Sequence, residues 1–71
     1  MDAQTRHTVI EQAGGRPAVG RHFGVSREAV RQWVRDGIPA RRVLEVARLA
    51  GVHPSVLDPE LYPPELDNSA A

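Results

Sequence analysis

Glycine and proline cut this chain into pieces too short for anything but small helices. Gly14-Gly15, Pro17, Gly24, Gly37, Pro39, Gly51, Pro54, Pro59 and Pro63-Pro64 recur along 71 residues, and such residues mark turns, helix ends and helix starts. Between them the apolar positions fall at i, i+3 and i+4, and no segment keeps the alternation of a strand. The chain therefore reads as all-α, with four to five short helices. The first is predicted from Ala3 or Gln4 to Ala13, with Val9, Ile10 and Ala13 as its buried stripe. The second runs from Arg16 to Phe23, with Pro17 in its first turn, where a missing N–H costs nothing. The third opens on Ser26 as N-cap and stops at Gly37, with Val30, Trp33 and Val34 on its apolar side. The fourth starts near Pro39 and continues through Val43, Leu44, Val46, Ala47 and Ala50 to Gly51. A short fifth is predicted over Pro54 to Leu57. Residues 1–64 make one domain, and 65–71 read as a disordered tail.

Composition limits what such a domain can do. At 7.8 kDa the core is small and its stability modest. There is no cysteine, hence no disulfide and no thiolate to act as nucleophile or zinc ligand, which fits a reducing, cytoplasmic setting. Phe23, Trp33 and Tyr62 are the only aromatic residues, so Val, Leu, Ile and Ala must fill most of the interior, with Trp33 in a core role. No apolar run approaches the roughly 18 residues of a membrane span, and residues 1–7 lack the pattern of a secretory signal. His7, His22 and His53 lie on different segments without metal-ligand spacing, so neither a metal nor a cofactor is expected. Small size and the lack of a recognisable catalytic constellation argue against an enzyme.

The net charge of zero hides an asymmetry. All nine basic residues are Arg, and eight of them lie at or before Arg42, against four of the nine acids. The first 42 residues thus carry a balance of +4 and the remainder −4. A basic half points to a polyanion, and Arg is the side chain that grips phosphate and guanine with two parallel hydrogen bonds.

Residues 16–35, RPAVGRHFGVSREAVRQWVR, have the register of a helix-turn-helix. Gly24 stands where the leading helix must end in a left-handed conformation. Gly20, mid-helix, costs about 1 kcal/mol against Ala and implies close approach of another helix. Val19, Phe23, Val25, Val30 and Trp33 supply the apolar contacts between the two helices. In such a unit the second helix enters the major groove, its N-terminal residues nearest the bases. Arg27, Glu28, Arg31 and Gln32 are the candidate base readers: Arg for guanine, Gln for adenine, Glu for the amino group of cytosine. Ser26, Arg35, Arg41, Arg42 and Arg16 are the candidate phosphate contacts, with Arg21 a weaker one. Arg41 and Arg42 sit in the first turn of the fourth helix, where cations oppose the helix dipole, so a nearby DNA backbone would explain them. The competing reading is a solvated helix face, with Glu28 paired to Arg31 or Arg35 and the stems of Arg41 and Arg42 covering apolar surface.

These residues resemble a known family. AGG before the second helix, GVS at the turn, AVRQW in the third helix, GIPARRVLE opening the fourth and DPELYP near the end look like the Cro-like repressors of phage and prophage regions. The likeness is greatest to their YdaS-type branch, whose members are often called antitoxins, and covers roughly residues 5–64. At position 20 glycine replaces the alanine usual in helix-turn-helix units. The resemblance implies a λ-repressor-like domain of five helices and a transcriptional repressor, with DNA contact at Ser26, Arg27, Glu28, Arg31 and Gln32. It leads to the expectation of a homodimer on a pseudo-palindromic duplex operator, with half-sites about 34 Å apart. The alternative is an antitoxin or adaptor module that works through a protein partner, a toxin for example. The acidic C-terminal segment would be its natural contact, whereas Leu57, Leu61, Tyr62 and Leu66 could contribute to the homodimer surface or pack back onto the first and fourth helices.

Overall fold

The computed structural model describes residues 2–63. Four α-helices follow one another: α1 (Ala3–Gln12), α2 (Arg16–Phe23), α3 (Arg27–Asp36) and α4 (Ala40–Ala50), and a single 3-10 turn covers Pro54–Val56. Among the described residues there is no strand. The tail from residue 65 onward, Leu66 included, lies outside them.

Local chemistry sets each boundary. Asp2 caps α1 by accepting the Thr5 backbone N–H at 2.8 Å. Ser26 caps α3 in the same way, accepting the Ala29 N–H at 3.0 Å, as its position in the sequence predicts. Helix α2 stops at Gly24, whose φ of 70° is left-handed. Beyond it the Val25 N–H donates back to the Gly20 carbonyl at 2.9 Å, closing the last turn. Residues 24–26 are all that separates α2 from α3, so the two helices form a helix-turn-helix.

Gly20 is required by that turn and not, as the sequence suggested, by a neighbouring helix. A Cβ at position 20 would stand 2.7 Å from the Val25 carbonyl oxygen, inside any tolerated contact. The chain folds back so tightly after Gly24 that its own backbone occupies the space of a side chain.

The centre of the domain is almost entirely β-branched. Ile10, Val19, Val30, Val43 and Val46 are the largest fully buried side chains, one or two from each helix, and Val9, Ala47 and Leu57 complete the core. Full burial of a Val or Ile is worth roughly 1.5–3 kcal/mol. None of the described polar or charged residues is buried. Helix α1 packs against both α3 and α4, and α2 packs against α3.

Aromatic residues form the rim instead. Trp33 is only half-buried, because the branched aliphatic residues already fill the interior, and it packs against the core's edge. Its ring meets Phe23 edge to face, with centroids 5.6 Å apart. Leu57 and Tyr62 pack onto the core from the C-terminal side, whereas Leu61 is half exposed.

Candidate nucleic-acid interface

Burial of Val30 on one side of α3 turns the opposite side outward. Arg27, Glu28, Arg31, Gln32 and Arg35 are all exposed and follow the i, i+3, i+4 spacing that gathers side chains on one helical face. The four residues expected to read bases thus share an open surface.

The turn brings a second helix end to this face. Arg16 and Pro17 from the first turn of α2 join the cap residue Ser26 and Arg27, Glu28 and Arg31 of α3 around an open notch of about 460 Å³. A second hollow, about 480 Å³, adjoins it through Pro17 and Arg27 and includes Arg21 and Gly24. Two helix N-termini line the notch, and neither the α2 start, which has no side-chain cap, nor the α3 start has spent all its N–H donors. Their dipoles add positive potential to that of the three arginines. The Ser26 oxygen accepts the cap bond, which leaves its hydroxyl hydrogen to donate outward.

Five of the nine predicted contact residues therefore meet in one place, and the others lie apart from it. Gln32 is one turn beyond Glu28 on the same face. Arg35 is held by its neighbour Asp36 through two hydrogen bonds of 3.2 Å, which raise its already high pKa. Arg41 is exposed at the start of α4, but Arg42 is half-buried. The Arg42 guanidinium lies 5.0 Å above the Phe23 ring, a cation–π contact, and its Nε is buried without a hydrogen-bond partner.

The arginines of α3 are not all available. Arg31 Nη1 donates to Glu28 Oε2 at 2.8 Å, the pairing that the sequence offered as a competing reading. With Asp36 inside the helix, α3 carries three Arg and two acids, and two of the three Arg are paired. Arg27 has no ion pair among the described residues.

Arg6 was missed as a contributor to this surface. From α1 its Nε donates to the Val34 carbonyl at 2.7 Å and its Nη2 to the Arg35 carbonyl at 3.0 Å. These are orphan acceptors at the end of α3, so Arg6 fixes the far end of the helix and places a cation at its negative pole. The signal was present: Arg6 falls on the stripe of Val9, Ile10 and Ala13, where a charged residue needs a polar target. His22 was missed likewise; its Nε2 meets Glu45 Oε2 at 3.1 Å and ties α2 to α4. Among the described residues no three potential metal ligands come together, and no helix is long and apolar enough to cross a membrane.

The model of one protein family, described as bacterial toxin YdaS, matches residues 7–65. The chain belongs to the YdaS family. The match begins within α1 and spans the whole helix-turn-helix, all nine candidate contact residues and α4, and it agrees with the resemblance carried by the GVS and GIPARRVLE segments. The family's description names a toxin, where the resemblance had suggested the antitoxin side of such a pair. No curated protein and no solved structure gives a significant match.

Proposed function

We propose that this YdaS-family protein is a sequence-specific double-stranded DNA-binding regulator without catalytic activity or cofactor. The observation that carries the reading is the notch itself. Two helix N-termini, three arginines and the Ser26 hydroxyl converge beside an exposed helix face of mixed donors and acceptors. Phosphate would lie against the notch, with Arg16, Ser26 and the first turns of α2 and α3 as its donors. Helix α3 would then lie in the major groove, with Arg27, Glu28, Arg31 and Gln32 toward the base edges. Arg35 and Arg41 flank this face as further phosphate contacts; Arg42 contributes there only by leaving Phe23. One module of this size reads few base pairs, so a homodimer on a pseudo-palindromic operator is the natural assembly.

A second reading is favoured by the family's description as a toxin, which calls for a cognate protein partner. The domain would then dock through apolar surface such as Leu44 and Leu61, both exposed. Selection of bound sites from random duplexes, followed by affinity measurement at several salt concentrations, separates the two. A DNA reader enriches a consensus, and its log K falls with log salt at about 0.9 per phosphate contact. Failure to enrich any sequence, with no retention on duplex DNA at low salt, overturns the DNA reading.

A further inference from the structure

The same face carries a feature that DNA binding alone does not require. Two of the three arginines on α3 are occupied by carboxylates of their own helix: Arg31 by Glu28 at 2.8 Å and Arg35 by Asp36 at 3.2 Å. All four side chains are more than half exposed, so neither pair is locked by packing. Exposed ion pairs of this kind are weak and exchange partners readily. Asp36 sits in the last turn of α3, where a negative charge opposes the helix dipole, so helix stability does not account for it. Near DNA both carboxylates repel phosphate.

Building on the DNA-binding reading, we propose that Glu28, assisted by Asp36, is a specificity-determining residue that suppresses non-specific DNA binding by competing with phosphate for Arg31 and Arg35. A single phosphate oxygen offers Arg31 little more than the carboxylate it must leave, and it also faces the released Glu28. A guanine edge offers Arg31 two acceptors, and a cytosine amino group gives Glu28 a donor in return. The exchange is therefore favourable at a matching G·C-containing site and unfavourable along the backbone elsewhere. Spacing at i and i+3 lets the two side chains approach neighbouring positions of one groove.

The experiment compares wild type, Glu28→Gln, Asp36→Asn and the control Glu60→Gln, which changes net charge equally but lies outside α3. Each is titrated with a random-sequence duplex and with the duplex selected for wild type, at several salt concentrations, with circular dichroism as the check on folding. Glu28→Gln is expected to bind random duplex about two- to fivefold more tightly. Its salt slope should steepen by about 0.9 as Arg31 takes a phosphate, and its preference for the selected site should shrink. Asp36→Asn should act in the same direction more weakly, without loss of helix content, and Glu60→Gln should change little. If wild type selects a site but Glu28→Gln and Asp36→Asn leave random-duplex affinity and slope at the Glu60→Gln level, the carboxylate proposal fails while DNA binding stands. If neither wild type nor the folded variants bind any duplex, both readings fall. Duplex binding that appears only in the variants supports the suppression directly.

Discussion

Helices α2 and α4 end by the same device and continue differently. Gly24 and Gly51 both adopt left-handed φ, 70° and 74°, and in both cases the following N–H reaches back five residues, from Val25 to Gly20 and from Val52 to Ala47. The residue that accepts this bond is buried in each helix. In α4 it is alanine, and its methyl fits the core. In α2 it is glycine, because the Val25 carbonyl lies 2.7 Å from where a methyl would be. The stop signal is therefore local and shared, while the direction of the exit is set by what stands one turn earlier. After α4 the chain relaxes into a 3-10 turn; after α2 it must double back at once to deliver Ser26 as the cap of α3.

Exchanging those two residues gives the largest expected effect. Gly20→Ala should gain a little helix propensity yet destabilise the domain, toward the upper end of the about 1–3 kcal/mol typical of overpacking, since a backbone carbonyl must move. It should also displace α3 and weaken any duplex binding. The mirror change, Ala47→Gly, should cost about 1 kcal/mol through propensity and leave α3 in place. Thermal midpoints together with duplex affinity check both. An unchanged midpoint for Gly20→Ala would show that the turn yields freely, and the contrast between the exits would collapse.

A smaller effect sharpens the shared half of the comparison. A Cβ at Gly24 or Gly51 meets nothing within 4 Å, so Gly24→Ala and Gly51→Ala should each cost only the left-handed backbone strain, about 1 kcal/mol. Equal losses in chemical denaturation are expected. A markedly larger loss at Gly24 would mean that the tight exit adds strain beyond the stop itself.

The boundaries of all four helices could be read from the sequence because their causes are local: a serine cap, a proline in a first turn, a glycine after a last one. The core was largely readable from the helical spacing, except that Ala13 and Trp33 were set too deep, both being only partly buried; the place of Trp33 depends on how four other helical segments fill the centre. What escaped is non-local. Gly20 announced a close approach but not the atom responsible, and Arg6 and His22 act on residues 28 and 23 positions away. At the candidate interface, the exposed face of α3 followed from its periodicity. The notch did not, because it needs Arg16 and Pro17 brought beside Ser26 by a turn whose tightness only the fold reveals.

The smallest effect concerns the start of α1, a helix that ends on Ala13 instead of a glycine and whose beginning depends on a charge. The Thr5 backbone N–H donated to Asp2 holds this carboxyl below its ordinary pKa of 3.8. A depressed folded-state pKa stabilises above the unfolded value and is lost as pH falls through the folded one. Between about pH 5 and pH 2 the wild-type midpoint should therefore drop slightly more than that of Asp2→Asn, whose cap does not titrate. Parallel curves would show that the charge of Asp2 contributes nothing.

Arg6 lies in that same first turn, its N–H bonded to the Asp2 carbonyl at 3.2 Å, while its guanidinium holds the last carbonyls of α3. Two chain segments far apart in sequence thus belong to one opening unit. When the first turn of α1 frays, the end of α3 loses its anchor in the same event. Amide exchange follows such units rather than the order of the chain. The Gly37 N–H, bonded to Trp33 at 2.9 Å, should then exchange at the pace set by the start of α1, and not with the slow amides around Val30.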